Sequence, residues 1–268
     1  MKRPNGLLTA LALPLALLWI LPLLYAIWTA IHPAEFATRF DLLAPLSPEN
    51  FARVWDRLPF PRYFLNTLVL VTLVVAAQYV ICTLAAYAFV AFPFRGAQAL
   101  FMLFLIQMMV MPEILLVRNY KTISWLGVMD TPLAIALPYL ASAFGIFLLR
   151  QSFKSVPKEL DEAARMEGAG PMQILWRVYV PLSKPAYLAY GLVMVSFHWN
   201  NYLWPMVVTN SVDTRPITVG LSVFAAPEQG IDWPTITAAT LTSVAPLLIA
   251  FLVFQRQFVQ SFMRAGIR

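Results

Sequence analysis

Charge is scarce in this 268-residue chain: Asp, Glu, Lys and Arg make up 12% of it and apolar residues 60%. Soluble domains carry about 25% charged residues, so an ordinary water-soluble fold is excluded. Cysteine occurs once, which excludes an intrachain disulfide; Cys82 stands inside an apolar run and reads as a small packing residue. Of the two histidines, His32 and His198, neither has a Cys or second His at metal-ligand spacing. A Gly-x4-Gly-Lys-Ser/Thr loop is missing altogether, so no backbone cradle for nucleotide phosphates exists in this chain.

What is present is a series of long apolar runs. Crossing a hydrocarbon core of about 30 Å takes about 20 helical residues. The runs predict an all-α integral membrane protein with six transmembrane helices at about 7–31, 63–92, 98–117, 132–150, 185–208 and 234–254. A charged loop at 151–184 separates the fourth from the fifth, and residues 1–268 read as a single transmembrane domain. Lys2 and Arg3 begin the chain, but the charge-free stretch after them reaches Ile31. The apolar part of a secretory signal is about 7–15 residues, so an uncleaved first helix is expected, bent at Pro14 and Pro22.

The formal charge of +6 raises the question of nucleic acid, and its distribution answers it. Arg39, Arg53, Arg57, Arg62, Arg118, Lys121 and Arg215 fall on one side of the predicted helices. The remaining twelve of the 19 Lys and Arg, from Lys2 and Arg3 to Arg264 and Arg268, fall on the other. The positive-inside rule makes the richer side cytoplasmic, with both termini. The basic excess is thus topology and calls for membrane lipid, not nucleic acid, as a partner. Residues 48–58 form an amphipathic stretch expected outside, at the membrane surface.

The charged segment from Lys158 to Pro181 is the most informative. Glu159, Asp161 and Glu162 follow Pro157, where carboxylates complement a helix N-terminus. Gly168 follows Glu167 where a left-handed C-terminal cap is required. Leu160, Ala163 and Ala164 share one face, a narrow ridge suited to a groove, and Gly170-Pro171 opens a second short helix. The result is a stiff bent finger. The pattern Glu162-Ala163-Ala164, three residues, Gly168, nine residues, Val178-x-Val180-Pro181 resembles the EAA loop of membrane subunits of ATP-binding-cassette importers, with Val178 and Val180 replacing the more usual Ile and Leu. Met111-Pro112-Glu113, Leu149-Arg150-Gln151, Trp199 to Pro205 and Phe254 to Val259 are similar to carbohydrate-importer permeases of the maltose and glycerol-phosphate type; Ser261-Phe262 depart from that pattern.

The resemblance implies a permease in a bacterial inner membrane, not an enzyme. It implies two separate ATPase subunits, which would bind ATP and Mg so that this chain needs no cofactor. It further implies a second homologous permease and an extracytoplasmic solute-binding protein. Leu160, Glu162, Ala163, Ala164 and Gly168 would couple to the ATPase.

Polar groups inside a bilayer face protein or a watery cavity. Counted as continuous helix, Glu113 and Asn200 each lie about 22 Å from the inner end of their helices, so Glu113, Asn200 and Asn201 are expected at one depth. Tyr202 and Trp204, with Trp199, would add aromatic faces suited to a sugar or polyol. Arg118 is a candidate for an anionic head group such as that of glycerol 3-phosphate, or an anchor at the helix end. Thr240 and Ser243 share a face of the last helix and read equally as lining or as small packing residues. The rival functions are an ion-coupled secondary transporter, which needs intramembrane carboxylates of which Glu113 is the sole candidate, and a structural or assembly membrane protein.

Overall fold

The computed structural model describes residues 6–225 and 232–266, except 38, 40 and 42. Lys2, Arg3 and Arg268, used in the charge assignment above, lie outside the described residues. The described chain is helical. Its helices are α1 (Gly6–Ala30), α2 (Glu49–Arg57), α3 (Phe60–Ala91), α4 (Ala97–Gln107), α5 (Leu116–Trp125), α6 (Pro132–Ala136), α7 (Ala143–Lys154), α8 (Lys158–Met166), α9 (Pro171–Ile174), α10 (Val180–Leu182), α11 (Lys184–Trp199), α12 (Leu203–Val208), α13 (Ile217–Leu221) and α14 (Trp233–Gly266). Two of them, α3 and Trp233–Val253 of α14, are long and apolar enough to cross a membrane. Two bent pairs pass the same test together, α4 with the segment Pro112–Trp125 and Pro132–Tyr139 with α7.

The chain forms two compact units, one of residues Met1–Pro61 with Val219–Pro246, the other of Arg62–Thr218 with Leu247–Arg268. In the first, polar side chains tie helix ends together. The last carbonyls of a helix have no partner within it. At the end of α1 buried Asn50 supplies one, its Nδ2 donating to Ala30 O and His32 O, both at 2.8 Å. Arg53 donates to Asn50 Oδ1 and reaches Asp232 at 3.3 Å. Asp232 in turn accepts from the Thr235 hydroxyl (2.7 Å) and N–H (3.2 Å), capping α14. The amphipathic stretch expected at 48–58 is thus α2, with Asn50 and Val54 buried and Trp55 half exposed.

The second unit is built around α3. Pairs four residues apart on α3 enter three successive cores, because i and i+4 share a helix face. Leu70 and Val74 pack with Ile123, Ala134, Ile135, Trp204 and Val208. Val71 and Val75 pack with Tyr190, Met194 and Trp199. Cys82 and Ala86 pack with Ile146, Leu149, Phe153, Ile174, Leu175 and Tyr179. Lipid is as apolar as leucine, so close contact and interhelical hydrogen bonds must hold such helices together. Glycine makes the contact possible: a Cβ at Gly191 of α11 would fall 1.9 Å from Tyr79 Oη of α3, and one at Gly145 of α7 would fall 2.6 Å from Tyr190. At the other end of α7, buried Arg150 stacks its guanidinium 3.8 Å from the ring centroid of Phe101 on α4.

Several helices depart from the expected spans. The run at 98–117 is not one helix: α4 stops at Gln107, and the chain from Pro112 is turned by 91°. Pro112 cannot donate a backbone hydrogen bond and forces Met111 out of helical conformation, here φ −66°, ψ 135°. The run at 132–150 is bent by 48° near Pro138, and α7 continues to Lys154. The run at 185–208 breaks between Trp199 and Leu203, and the last helix extends to Gly266. The depth calculation that took Glu113 as part of a continuous helix therefore fails.

One loop contact fixes α12 beyond its break. Asp130 has φ 56°, a left-handed conformation that aspartate tolerates better than most residues. Its N–H donates to Val208 O (2.9 Å). Its carboxylate accepts from the N–H groups of Asn210 (2.8 Å) and Ser211 (3.1 Å) and from the Thr214 hydroxyl. Burial alone would raise this carboxyl; these hydrogen bonds outweigh it and bring it down to about 2. A free aspartate titrates near 3.9, so the folded value is depressed. The clasp's stabilisation is then complete above pH about 4 and disappears as pH falls through the folded value. We expect Asp130→Asn, which keeps the left-handed preference, to lower the melting temperature in detergent at neutral pH. The gap to wild type should close as pH approaches about 2; a gap independent of pH would assign the effect to something other than the carboxylate.

Candidate functional site

Two features of the second unit bear on function. The first is the finger from Lys158 to Leu182. α8 has Glu159 and Asp161 in its first turn, and Asp161 accepts a 3.0 Å bond from Arg165 one turn on. It ends where expected: Gly168 has φ 82°. The Gly168 N–H bonds to Arg165 O (2.9 Å) and that of Ala169 to Ala164 O (3.0 Å), the paired pattern of a Schellman cap. The returning arm is α9, a widened turn at Leu175–Tyr179 and α10. In that turn the Val180 N–H reaches back five residues to Leu175 O. Pro181, next in line, has no N–H to continue the ordinary register. Such π turns cluster at functional positions; Pro181 was the sequence signal for this one.

The arm is rooted. Ile174, Leu175 and Tyr179 are buried between α3 and α7, and Tyr87 of α3 donates its hydroxyl to Pro171 O at 3.0 Å. By contrast α8 has no buried residue. Leu160, Glu162, Ala163 and Gly168 are exposed and Met166 is 90% exposed. Ala164 differs from the sequence reading. It is half-buried against the chain's own core, because the Gly168 cap folds the returning arm across that face. The outward surface is Leu160, Ala163 and Met166, without Ala164.

The second feature is a cavity at the helix breaks. One chamber of about 410 Å³ is lined by Glu113, Tyr139, Ser196, Asn200, Asn201 and Tyr202, with Pro112, Phe197 and Leu203. A chamber of about 300 Å³ adjoins it through Pro112, Tyr139 and Phe197 and adds Gln78, Gln107, Asn119, Ser142 and His198 among its walls. The lining comes from all three interruptions: Met108 to Pro112 after α4, Pro138 to Ser142 before α7, and Asn200 to Tyr202 after α11. Non-helical backbone at membrane depth is tolerated only within protein or beside a water-filled space. Three helix breaks in an apolar chain thus border these two adjoining chambers, whose walls mix polar and apolar side chains.

Residues 6–264 match the family described as the binding-protein-dependent transport system inner membrane component. This chain belongs to that family. As an inner membrane component it is a transport permease and not an enzyme. It is 34% identical over 215 residues to the lactose transport system permease protein of Rhizobium radiobacter, covering 79% of this chain and 77% of that one. It is 30% identical to the sn-glycerol-3-phosphate transport system permease protein of Shigella flexneri serotype 5b, covering 94% and 95% of the two chains. Its fold is similar, with a TM-score of 0.82, to a chain of the crystal structure of a bacterial ABC transporter involved in import of the acidic polysaccharide alginate; the two are 25% identical and 94% and 96% covered.

The sequence-expected path residues of the permease divide on the structure. Glu113, Asn200, Asn201 and Tyr202 line one chamber together. Trp204 does not: it is buried, donates its indole N–H to Ala134 O at 3.2 Å, and borders a cleft of about 20 Å³. Trp199 packs edge-on to Phe64 in the core. Arg118 lines none of these spaces.

Sequence reasoning missed the deeper wall. Gln78 sits in the long apolar helix α3, a polar group whose position was itself a signal. Its Nε2 donates to Tyr139 O (2.7 Å) and contacts His198 Nε2 (3.1 Å), while its Oε1 accepts from the Tyr190 hydroxyl (3.0 Å). An amide NH₂ only donates, so His198 Nε2 is the acceptor and the ring proton is on Nδ1. Gln78, Tyr190 and His198 are all buried. Gln78→Leu would take away the partner of Tyr139 O and of His198 Nε2, at a cost of about 1–3 kcal/mol for a buried group left unpaired, while the Tyr190 hydroxyl keeps its contact with Cys82 Sγ. We expect a clear drop in the melting temperature of the purified permease, largely restored by Gln78→Asn if one bond can reform; an unchanged melting point for Gln78→Leu would show the network to be energetically idle.

Proposed function

We propose that this chain is the six-crossing permease subunit of an ATP-driven importer for carbohydrate-type solutes, a sugar or sn-glycerol 3-phosphate, with both termini in the cytoplasm. The convergence of three helix breaks on one pair of adjoining chambers carries this reading. The crossings are α1, α3, the α4–α5 and α6–α7 pairs, α11 with α12, and α14, working as one permease domain. Its partners are two ATPase subunits that bind ATP and Mg, a second homologous permease and an extracytoplasmic solute-binding protein. The named solutes of the similar permeases support a carbohydrate-type cargo. Family membership leaves an ion-coupled transporter without support.

In this mechanism α8 is the input. The ATPase grips the exposed Leu160, Glu162, Ala163 and Met166 face, with Gly168 setting the angle of the finger. Closure on ATP moves α8, and the buried Ile174–Leu175–Tyr179 arm transmits that motion to α3 and α7. The cavity alternates its access as those helices turn. Solute handed over by the binding protein passes Glu113, Asn200, Asn201 and Tyr202.

Two measurements test the halves separately, in proteoliposomes holding all partner subunits. Ala163→Asp buries an unpaired charge in the docking face, a loss of about 3–5 kcal/mol. At 1.4 kcal/mol per tenfold, ATPase pull-down should weaken by roughly a hundredfold or more while the permease inserts and pairs normally. Ala164→Asp should instead destabilise the permease itself. Wild-type docking in Ala163→Asp would remove α8 as the coupling element. For the path, Asn200→Leu and Glu113→Gln should each lower uptake about tenfold, about 1.4 kcal/mol of lost transition-state stabilisation, with binding-protein-stimulated assembly intact. Full uptake in both would take these residues off the route.

A further inference from the structure

We infer that the cavity selects an uncharged polyhydroxylated solute and discriminates against phosphate- or carboxylate-bearing ones. This rests on the reading that the cavity is the solute path, and sharpens it. Apart from Glu113 and His198, the polar side chains facing the two chambers are amides and hydroxyls, among them Gln107, Asn119, Asn200 and Tyr202. Amides and hydroxyls each offer both donor and acceptor, or can rotate to do so, which matches sugar hydroxyls. Phe197 lies on the wall of both chambers and offers an apolar face to a sugar's C–H side.

Recognition of an anion needs charge-assisted donors, above all a forked guanidinium or an ammonium. None of the described lining residues is Lys or Arg. Arg118 adjoins Asn119 in sequence, yet Asn119 lines the chamber of about 300 Å³ and Arg118 lines neither chamber. His198 spends its Nε2 as an acceptor from Gln78. The sole lining carboxylate, Glu113, places like charge beside any phosphate or uronate. Ligand sites run to about 300–1,000 Å³, so chambers of about 410 and 300 Å³ joined at Tyr139 and Phe197 accommodate more than one sugar ring in line.

The binding protein filters solutes before they arrive, so the test must bypass it. The one native cysteine, Cys82, is fully buried, which leaves room for reporters: Leu115→Cys on the deeper chamber and Leu203→Cys on the other, each in the assembled complex. Maleimide labelling of each is timed with maltose, sn-glycerol 3-phosphate or digalacturonate present and no binding protein. Maltose should slow labelling at both positions, and the two anions should need at least tenfold higher concentration. Glu113→Gln should narrow that gap by improving protection by the two anions relative to maltose. Anions that protect as well as maltose would overturn the selectivity and leave the path reading standing. If no probe protects either cysteine in a complex that still transports, the path reading itself fails, and this inference with it.

Discussion

A peptide group in hydrocarbon must find its hydrogen bond inside the protein, because no water is there to supply one. The second unit is organised by that requirement. An interrupted helix frees carbonyls, and at the breaks before α7 and after α11 side chains from elsewhere meet several of them. Gln78 serves Tyr139 O, Trp204 serves Ala134 O, Cys82 serves Ser142 O, and Thr218 serves Asn201 O at 2.8 Å. The interruptions can therefore persist, and the backbone they release borders a cavity. Proline and asparagine open the helices; residues far away in the sequence make the opening affordable.

The same unit joins cavity and finger through α3. One helix carries Leu70 and Val74 beside α6 and α12, Gln78 at the deeper chamber, and Cys82, Ala86 and Tyr87 against the returning arm of the finger. Well-packed cores shift between discrete arrangements more readily than they deform. In the proposed mechanism a displacement of the arm would therefore arrive at the cavity as a movement of whole helices. The difference in exposure along the finger fits this division: α8 is left open for a partner, while Ile174 and Leu175 are buried.

How much was legible beforehand varied with the range of the interaction. The end of α8 was read correctly from Glu167-Gly168, since a left-handed cap depends on a few adjacent residues. Glu113, Asn200 and Asn201 were singled out as costly polar groups in apolar surroundings, and they share a chamber. The reasoning about their depth was nevertheless wrong, since Pro112 ends the helix that the calculation assumed. Trp204 was read as a solute-facing aromatic and serves as a core anchor; an indole's partner cannot be deduced from its neighbours in sequence. Ala164 was placed on the docking ridge by helical spacing alone, which identifies a face but not what lies against it.

From the sequence itself came the membrane class, the charge asymmetry, the finger and its cap, because each rests on composition or on spacing within a turn or two of helix. Tertiary structure decided which faces are open and which residues share a chamber. The contacts that made those decisions are long: Gln78 meets His198 across 120 positions and Tyr190 across 112. Local propensity has no access to such pairings. They exist because helices brought together by Gly145 and Gly191 leave each buried polar group only a few partners within reach.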